Sequence, residues 1–272
     1  MNVQLVIGVI VGYFLLLIII SRLTSKGADT ETFFTANRQS PWFLVAFGMI
    51  GASLSGVTFV SVPGEISNSY FSYFQIVLGY LLGYFVIATV LLPLYYKLKL
   101  VSIYTYLEQR FGFWSYKTGA FFFLLSRTIG ASFRLFLVAG VLQVFLFERL
   151  GVPFWVAVMT TIALIWVYTY KGGIKTIIWT DTLQTFFMLT AAVVTYYLII
   201  DSYDISLGQS IRTIRDQTSS QIFFWEWNDS KNFFKMFFTG TFMAIVMTGL
   251  DQDMMQKNLT CRSLKDAQKN MF

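Results

Sequence analysis

The sequence predicts an all-α integral membrane protein, and three observations predict it. Hydrophobic residues make up 56% of the 272 and charged residues only 12%, against about 25% charged in a soluble domain. The apolar residues fall in runs close to the roughly 20 residues that a bilayer-crossing helix needs. The basic residues gather in every second connection between those runs, which is the pattern that sets orientation in a membrane.

Seven runs qualify, at about 3–21, 42–62, 74–96, 118–147, 154–170, 176–200 and 233–252. The first has no basic stretch before it and no small-residue cleavage site, so it reads as a retained helix rather than a leader. The fourth is too long to stand upright in the lipid and is expected to tilt or to extend past it. Arg22, Lys26 and Arg38 follow the first run; Lys97, Lys99, Arg110 and Lys117 follow the third. Lys171 and Lys175 follow the fifth, and Lys257, Arg262, Lys265 and Lys269 follow the seventh. The other side carries only Arg149, Arg212, Arg215 and Lys231. The N-terminus is therefore expected outside and the tail in the cytoplasm, in a plasma (bacterial inner) membrane. The longest outer segment, 201–232, is polar and slightly acidic; its Ile211 and Ile214 fit either a short surface helix or a solvated loop.

Composition excludes several chemistries. The chain has no histidine, which removes the Ser-His-Asp, Cys-His and HExxH arrangements together. Cys261 is the one cysteine, so neither an internal disulfide nor a Cys-rich metal site is available. The net charge of +6 sits in loops between apolar runs, without the basic, aromatic-interleaved surface that nucleic acid requires. An enzyme is not expected.

Four runs depart from simple anchors. The second reads Gly51-Ala-Ser53-Leu54-Ser55-Gly56-Val-Thr58, followed by Ser61, Pro63 and Gly64. Each glycine costs a helix about 1 kcal/mol relative to alanine. A break here frees carbonyls that can hold a cation, beside a half-helix N-terminus that attracts an anion. The same residues also suit a small-residue packing face. In the fourth run Arg127 and Arg134 share a helix face with Gly130 between them. Each arginine costs about 2.5–3.5 kcal/mol at mid-bilayer on insertion scales. One of them receives an anionic solute, or they pair with buried acceptors or snorkel outward. The sixth run opens Gly172-Gly173, a tight turn, and carries Asp181 about six residues in, with Gln184 near it. That depth is roughly 9 Å along a helix. A carboxylate there needs a partner or a bound cation and is a functional-site candidate by default. The seventh run ends with Asp251, Gln252 and Asp253, which fit either an interrupted, cavity-lining helix or an ordinary interfacial end.

The segment Gly172-Gly173-Ile174-Lys175-Thr176-Ile177-Ile178-Trp179-Thr180-Asp181-Thr182-Leu183-Gln184 resembles the GG…WTD..Q signature of the solute:sodium symporters. Asp251-Gln252 through Gln256-Lys257-Asn258-Leu259-Thr260, on to Ser263 and Ala267, is similar to that family's DQ…QR.L…S…A pattern, with lysine in place of the usual arginine. Phe33-Phe34-Thr35-Ala36-Asn37-Arg38 before Trp42 also resembles its first cytoplasmic loop.

The resemblance implies a LeuT-type inverted-repeat transporter fold, truncated to its first seven helices: one extra helix, the first five-helix repeat, and the start of a second repeat left incomplete at Phe272. It implies sodium as the co-transported ion, a small solute as partner and a monomer when full length. Gly51 and Leu54 match positions whose carbonyls hold sodium, and Asp181 matches the signature aspartate that binds or neighbours it. Ser55 and Thr58 match side chains that meet a substrate carboxylate in sialic-acid-type relatives. The expected substrate is thus an organic anion such as a sialic acid or a monocarboxylate; a sugar, or a sensory role for the membrane domain, is the alternative. Two departures stand out: Asp253 lies where sugar transporters place an aromatic residue, and the arginine clamp of sialic-acid-type relatives aligns near Gly130, between Arg127 and Arg134.

Overall fold

The computed structural model describes residues 3–24, 35–54, 56–100, 102–169 and 173–271. Ser55 and Gly172 lie outside them. Among the described residues the regular structure is almost entirely helical. Helix α1 spans Val3–Thr24, α2 Trp42–Ser53, α3 Gly56–Ser69 and α4 Tyr73–Val86, which passes through a wide π turn into α5, Leu92–Lys97. Then follow α6 Ile103–Phe111, α7 Phe113–Leu142, α8 Phe154–Thr169, α9 Gly173–Ser202 and α10 Leu207–Arg215. Last come α11 Phe233–Ala244, α12 Gln252–Asn258 and α13 Leu264–Met271.

Four helical stretches are long and apolar enough to cross a bilayer: Gln4–Thr24, Ser61–Lys97, Phe113–Phe147 and Gly173–Ser202. The pair Phe233–Gly249 and Gln252–Asn258 qualifies jointly but is bent by 71°. Trp42–Ser53 and Phe154–Thr169 are apolar but shorter. The stretch expected as one helix at 42–62 is two, α2 and α3, and α3 runs on to Ser69 before Tyr70 turns the chain at positive φ.

The contacts divide the chain into two units, residues 1–40 with 100–180 and residues 41–99 with 181–272. In the first unit α1 packs on α8, and each carries a buried residue, Leu17 and Ala157. The hydroxyls of Thr24 and Thr176, 2.7 Å apart, tie the end of α1 to the start of α9. Helix α6, N-capped by Ser102, folds back on α7 through a turn at Gly112 (φ 85°).

In the second unit α4 and α11 form the most extensive helix pair. A Cβ on Gly79 would lie 2.0 Å from the Phe237 carbonyl oxygen, and one on Gly240 would lie 2.1 Å from that of Ile76. Glycine is the side chain that lets the two backbones touch, as small residues do where lipid supplies no hydrophobic drive for helix association. Thr241 donates to the Gly79 carbonyl (3.1 Å) at the same crossing. Buried Gln75 donates to the Lys231 carbonyl (2.9 Å) and accepts from the Phe224 N–H (3.4 Å), fastening the connection ahead of α11 onto α4.

Candidate functional site

Helix α2 stops at Ser53 for local reasons. Ser53 Oγ donates back to the Met49 carbonyl (3.0 Å), a bond that competes with the helix ladder, and Leu54 takes extended backbone angles (φ −83°, ψ 98°). Its N–H still donates to the Ile50 carbonyl (2.8 Å). The last four carbonyls of any helix lack the N–H partners of a following turn, and Gly51 lies in that last turn. Helix α3 restarts at Gly56 and contains Pro63, which removes one more ladder bond.

Two threonines of α9 hold α2 by its backbone. Thr182 donates to the Leu44 carbonyl (3.1 Å), and Thr185 Oγ1 lies 2.9 Å from the Phe47 carbonyl and 2.7 Å from the Asp181 carbonyl. One turn further along the same face is Gly51, where a Cβ would lie 2.0 Å from Thr185 Oγ1 and 3.0 Å from the Asp181 carbonyl. Gly51 and Asp181, read separately from the sequence, are neighbours in space.

The Asp181 carboxylate is paired. Lys257 Nζ lies 2.7 Å from its Oδ2, with side chains 4% and 17% exposed respectively. Lys257 is brought there by the bend after α11. The helix widens into a π turn at Ile245–Gly249, where Gly249 presses against Leu91 and Ile87 and its carbonyl accepts from Tyr95 (3.1 Å). Asp251 then caps α12, accepting from the N–H groups of Asp253 (3.0 Å) and Met254 (3.2 Å). Behind Lys257, buried Asn258 accepts from the Asn270 side chain, whose nitrogen lies 3.2 Å from the Met49 sulfur. Helices α2, α9, α12 and α13 thus converge beside the break at Leu54.

The remaining candidates are distributed more widely. Thr58 is half-buried on α3, Gln184 and Gln252 are half-buried, and Asp253 is exposed in the first turn of α12. Arg127, Arg134 and Gly173 belong to the other unit. Arg127 is half-buried with its guanidinium 5.7 Å from the Phe123 ring centre, and Arg134 is exposed. Gly173 starts α9 at φ 52°. Among the described residues no three His, Cys, Asp or Glu side chains converge as a metal cluster. A small hard cation taken at the break would be held by oxygens of the backbone and of hydroxyls.

The profile of the sodium:solute symporter family matches residues 33–271. The chain belongs to that family. Among similar members, the human sodium/iodide cotransporter is 25% identical over 88% of this chain and 37% of its own. A sodium/sialic acid symporter of Aliivibrio fischeri is 26% identical over 91% of this chain and 48% of its own. The human sodium-coupled monocarboxylate transporter 1 is 26% identical over 89% and 39%. The chain therefore spans between a third and a half of the length of these symporters. A solved structure of a Na+-coupled sialic acid symporter, substrate-bound and outward-open, superposes with a TM-score of 0.83 at 23% identity, over 97% of this chain and 56% of that one. The fold is shared: this member is an all-α, multi-pass membrane protein of LeuT type.

Proposed function

We propose that the chain forms the first part of a sodium-coupled symporter that imports a small organic anion by alternating access. The observation that carries the reading is the interruption of α2 at Leu54, held against α9 by Thr182, Thr185 and the close approach at Gly51. Sodium is the cargo ion there, taken by carbonyls of Gly51 and Leu54. It fixes the broken helix so that Ser55 and Thr58 meet the carboxylate of the solute. Arg127 or Arg134, and Asp253, are the further side chains proposed to meet the solute.

Asp181 enters through Lys257. Its carboxylate already meets one cation, so a sodium ion joining it has to share the acid with the ammonium or displace it. The pair closes the cytoplasmic end of the site, with Gln184, Asp251 and Gln252 on the helices that carry it, and Gly172 and Gly173 keep the gating or structural role that the family's signature implies. One charge moving down 100 mV supplies about 2.3 kcal/mol, enough for roughly a 50-fold solute gradient before any sodium gradient is counted.

Relatives named for sialic acid, monocarboxylates and iodide support an anionic solute, and the acid at Asp253, where sugar transporters place an aromatic residue, weakens the sugar alternative. Seven spans are read from the apolar runs, and an outside N-terminus, in a plasma membrane, from the distribution of basic residues. Competition for uptake by the complete symporter tests the substrate class. Unlabelled sialic acid or a short monocarboxylate is expected to suppress uptake of its labelled counterpart, and a hexose is not. Suppression by the hexose alone overturns the anion assignment.

A further inference from the structure

Helix α10 is amphipathic in a way the transport site does not use. Leu207, Ile211 and Ile214 recur at helical spacing on one face and are 60%, 54% and 43% exposed. Going round the helix, Ser210 lies on one side of that face and Arg215 and Arg212 on the other. Ser210 is buried, with its hydroxyl 2.6 Å from that of Tyr196 on α9. A capping box between Ser206 and Gln209 fixes the start of the helix four residues after α9 ends at Ser202. The helix is thus tied by the Ser210–Tyr196 contact and the short connection to the end of a membrane-crossing helix, so it lies at the level where that helix leaves the lipid.

The surroundings mark the same level. Tyr197 and Tyr203 at the end of α9, and Trp225 and Trp227 ahead of α11, are all exposed, and tyrosine and tryptophan concentrate at membrane–water boundaries. Arg212 and Arg215 sit on the flank of the apolar face away from α9, where long basic side chains lie over apolar surface and reach outward. Arg215 shares its charge with Asp216 (3.2 Å, both exposed), Asp201 lies in the last turn of α9 and Asp204 in the turn that follows.

We infer that α10 lies in the bilayer interface beside the end of α9, with Leu207, Ile211 and Ile214 in the lipid and Arg212 and Arg215 at the headgroups of anionic phospholipids. Helices of this type take their binding from buried apolar area together with attraction to anionic lipid.

The test is a depth measurement on the protein reconstituted in vesicles. An environment-sensitive fluorophore is attached through Ile211→Cys on the apolar face, or Thr213→Cys on the opposite, exposed one. Cys261 is buried, and the unsubstituted protein reports any labelling there. In phosphatidylcholine vesicles containing phosphatidylglycerol, the label at 211 is expected to emit at shorter wavelength. Nitroxide lipids should quench it several-fold more than the label at 213, which aqueous iodide quenches instead. Combining Ile211→Cys with Arg212→Gln and Arg215→Gln is expected to reduce the lipid quenching. Equal iodide quenching at the two positions overturns the inference. So does a label at 211 shielded from iodide and lipid alike, which means that protein covers the face. Quenching independent of phosphatidylglycerol overturns the assignment of anionic headgroups.

Discussion

Lys257 Nζ lies 2.7 Å from Asp181 Oδ2, joining a helix that follows a 71° bend to the helix that grips the broken one. Both side chains are largely withdrawn from solvent. Removing one partner of a buried pair strands the other charge, at about 3–5 kcal/mol, while removing both costs much less. Lys257→Met or Asp181→Asn alone is therefore expected to lower the unfolding temperature in detergent strongly. The double variant should recover most of the loss, so a double-mutant cycle reads a large coupling. The two singles also separate roles in transport. A sodium ligand at Asp181 raises the sodium concentration for half-maximal uptake in Asp181→Asn but not in Lys257→Met. A purely closing pair affects both alike.

Gly51 has no room for a side chain. The Cβ of Gly51→Ala would meet Thr185 Oγ1 at 2.0 Å, so α2 has to lift from α9 and the Thr185–Phe47 contact is lost. Overpacking of this kind costs about 1–3 kcal/mol. Adding Thr185→Ala removes the nearest atom but leaves the Asp181 carbonyl at 3.0 Å. Partial rescue of thermal stability is the expected outcome, with sodium affinity still reduced.

The crossing of α4 and α11 is less forgiving, because the obstructing atoms are backbone. Gly79→Ala faces the Phe237 carbonyl and Gly240→Ala that of Ile76. Either substitution is expected to reduce the yield of monodisperse protein on size-exclusion chromatography more than Gly130→Ala, whose added Cβ meets nothing within 4 Å.

Cys261, beyond the bend, gives a pH signature. Burial, with a smaller contribution from the Asp266 charge, pushes its thiol up from 9.0 to about 12. A raised folded value means that the neutral thiol is favoured in the fold. Its contribution is fully present below about pH 9 and is lost as pH rises toward 12. Native protein at pH 8 is expected to resist thiol alkylation that proceeds readily once it is denatured, and Cys261→Ser should weaken the decline of stability above pH 9.

Much of this was legible in the sequence because the bilayer demands long apolar runs, and those runs mark most of the helices. The break near Leu54 was visible as glycine and serine where a plain anchor needs neither. The amphipathic stretch around Ile211 was legible as a possible helix, and the helix forms. Asp181 stood out as a charge in the wrong solvent. Its partner did not, because Lys257 lies 76 positions away and reads as one more cytoplasmic lysine. Thr182 and Thr185 were also silent, since a threonine in a membrane helix usually bonds its own backbone and only the packing of α2 on α9 reveals the second acceptor. Asp251 attracted attention as an acid near the membrane and proves to be a helix cap.

Uptake driven by a sodium gradient tests the central claim most directly. Proteoliposomes containing the complete symporter that this chain begins are loaded with potassium and diluted into sodium or choline medium with a labelled organic anion, with and without valinomycin. Accumulation in sodium, further stimulation by the inside-negative potential, and loss of both in choline are expected. Equal uptake in the two media would contradict the claim.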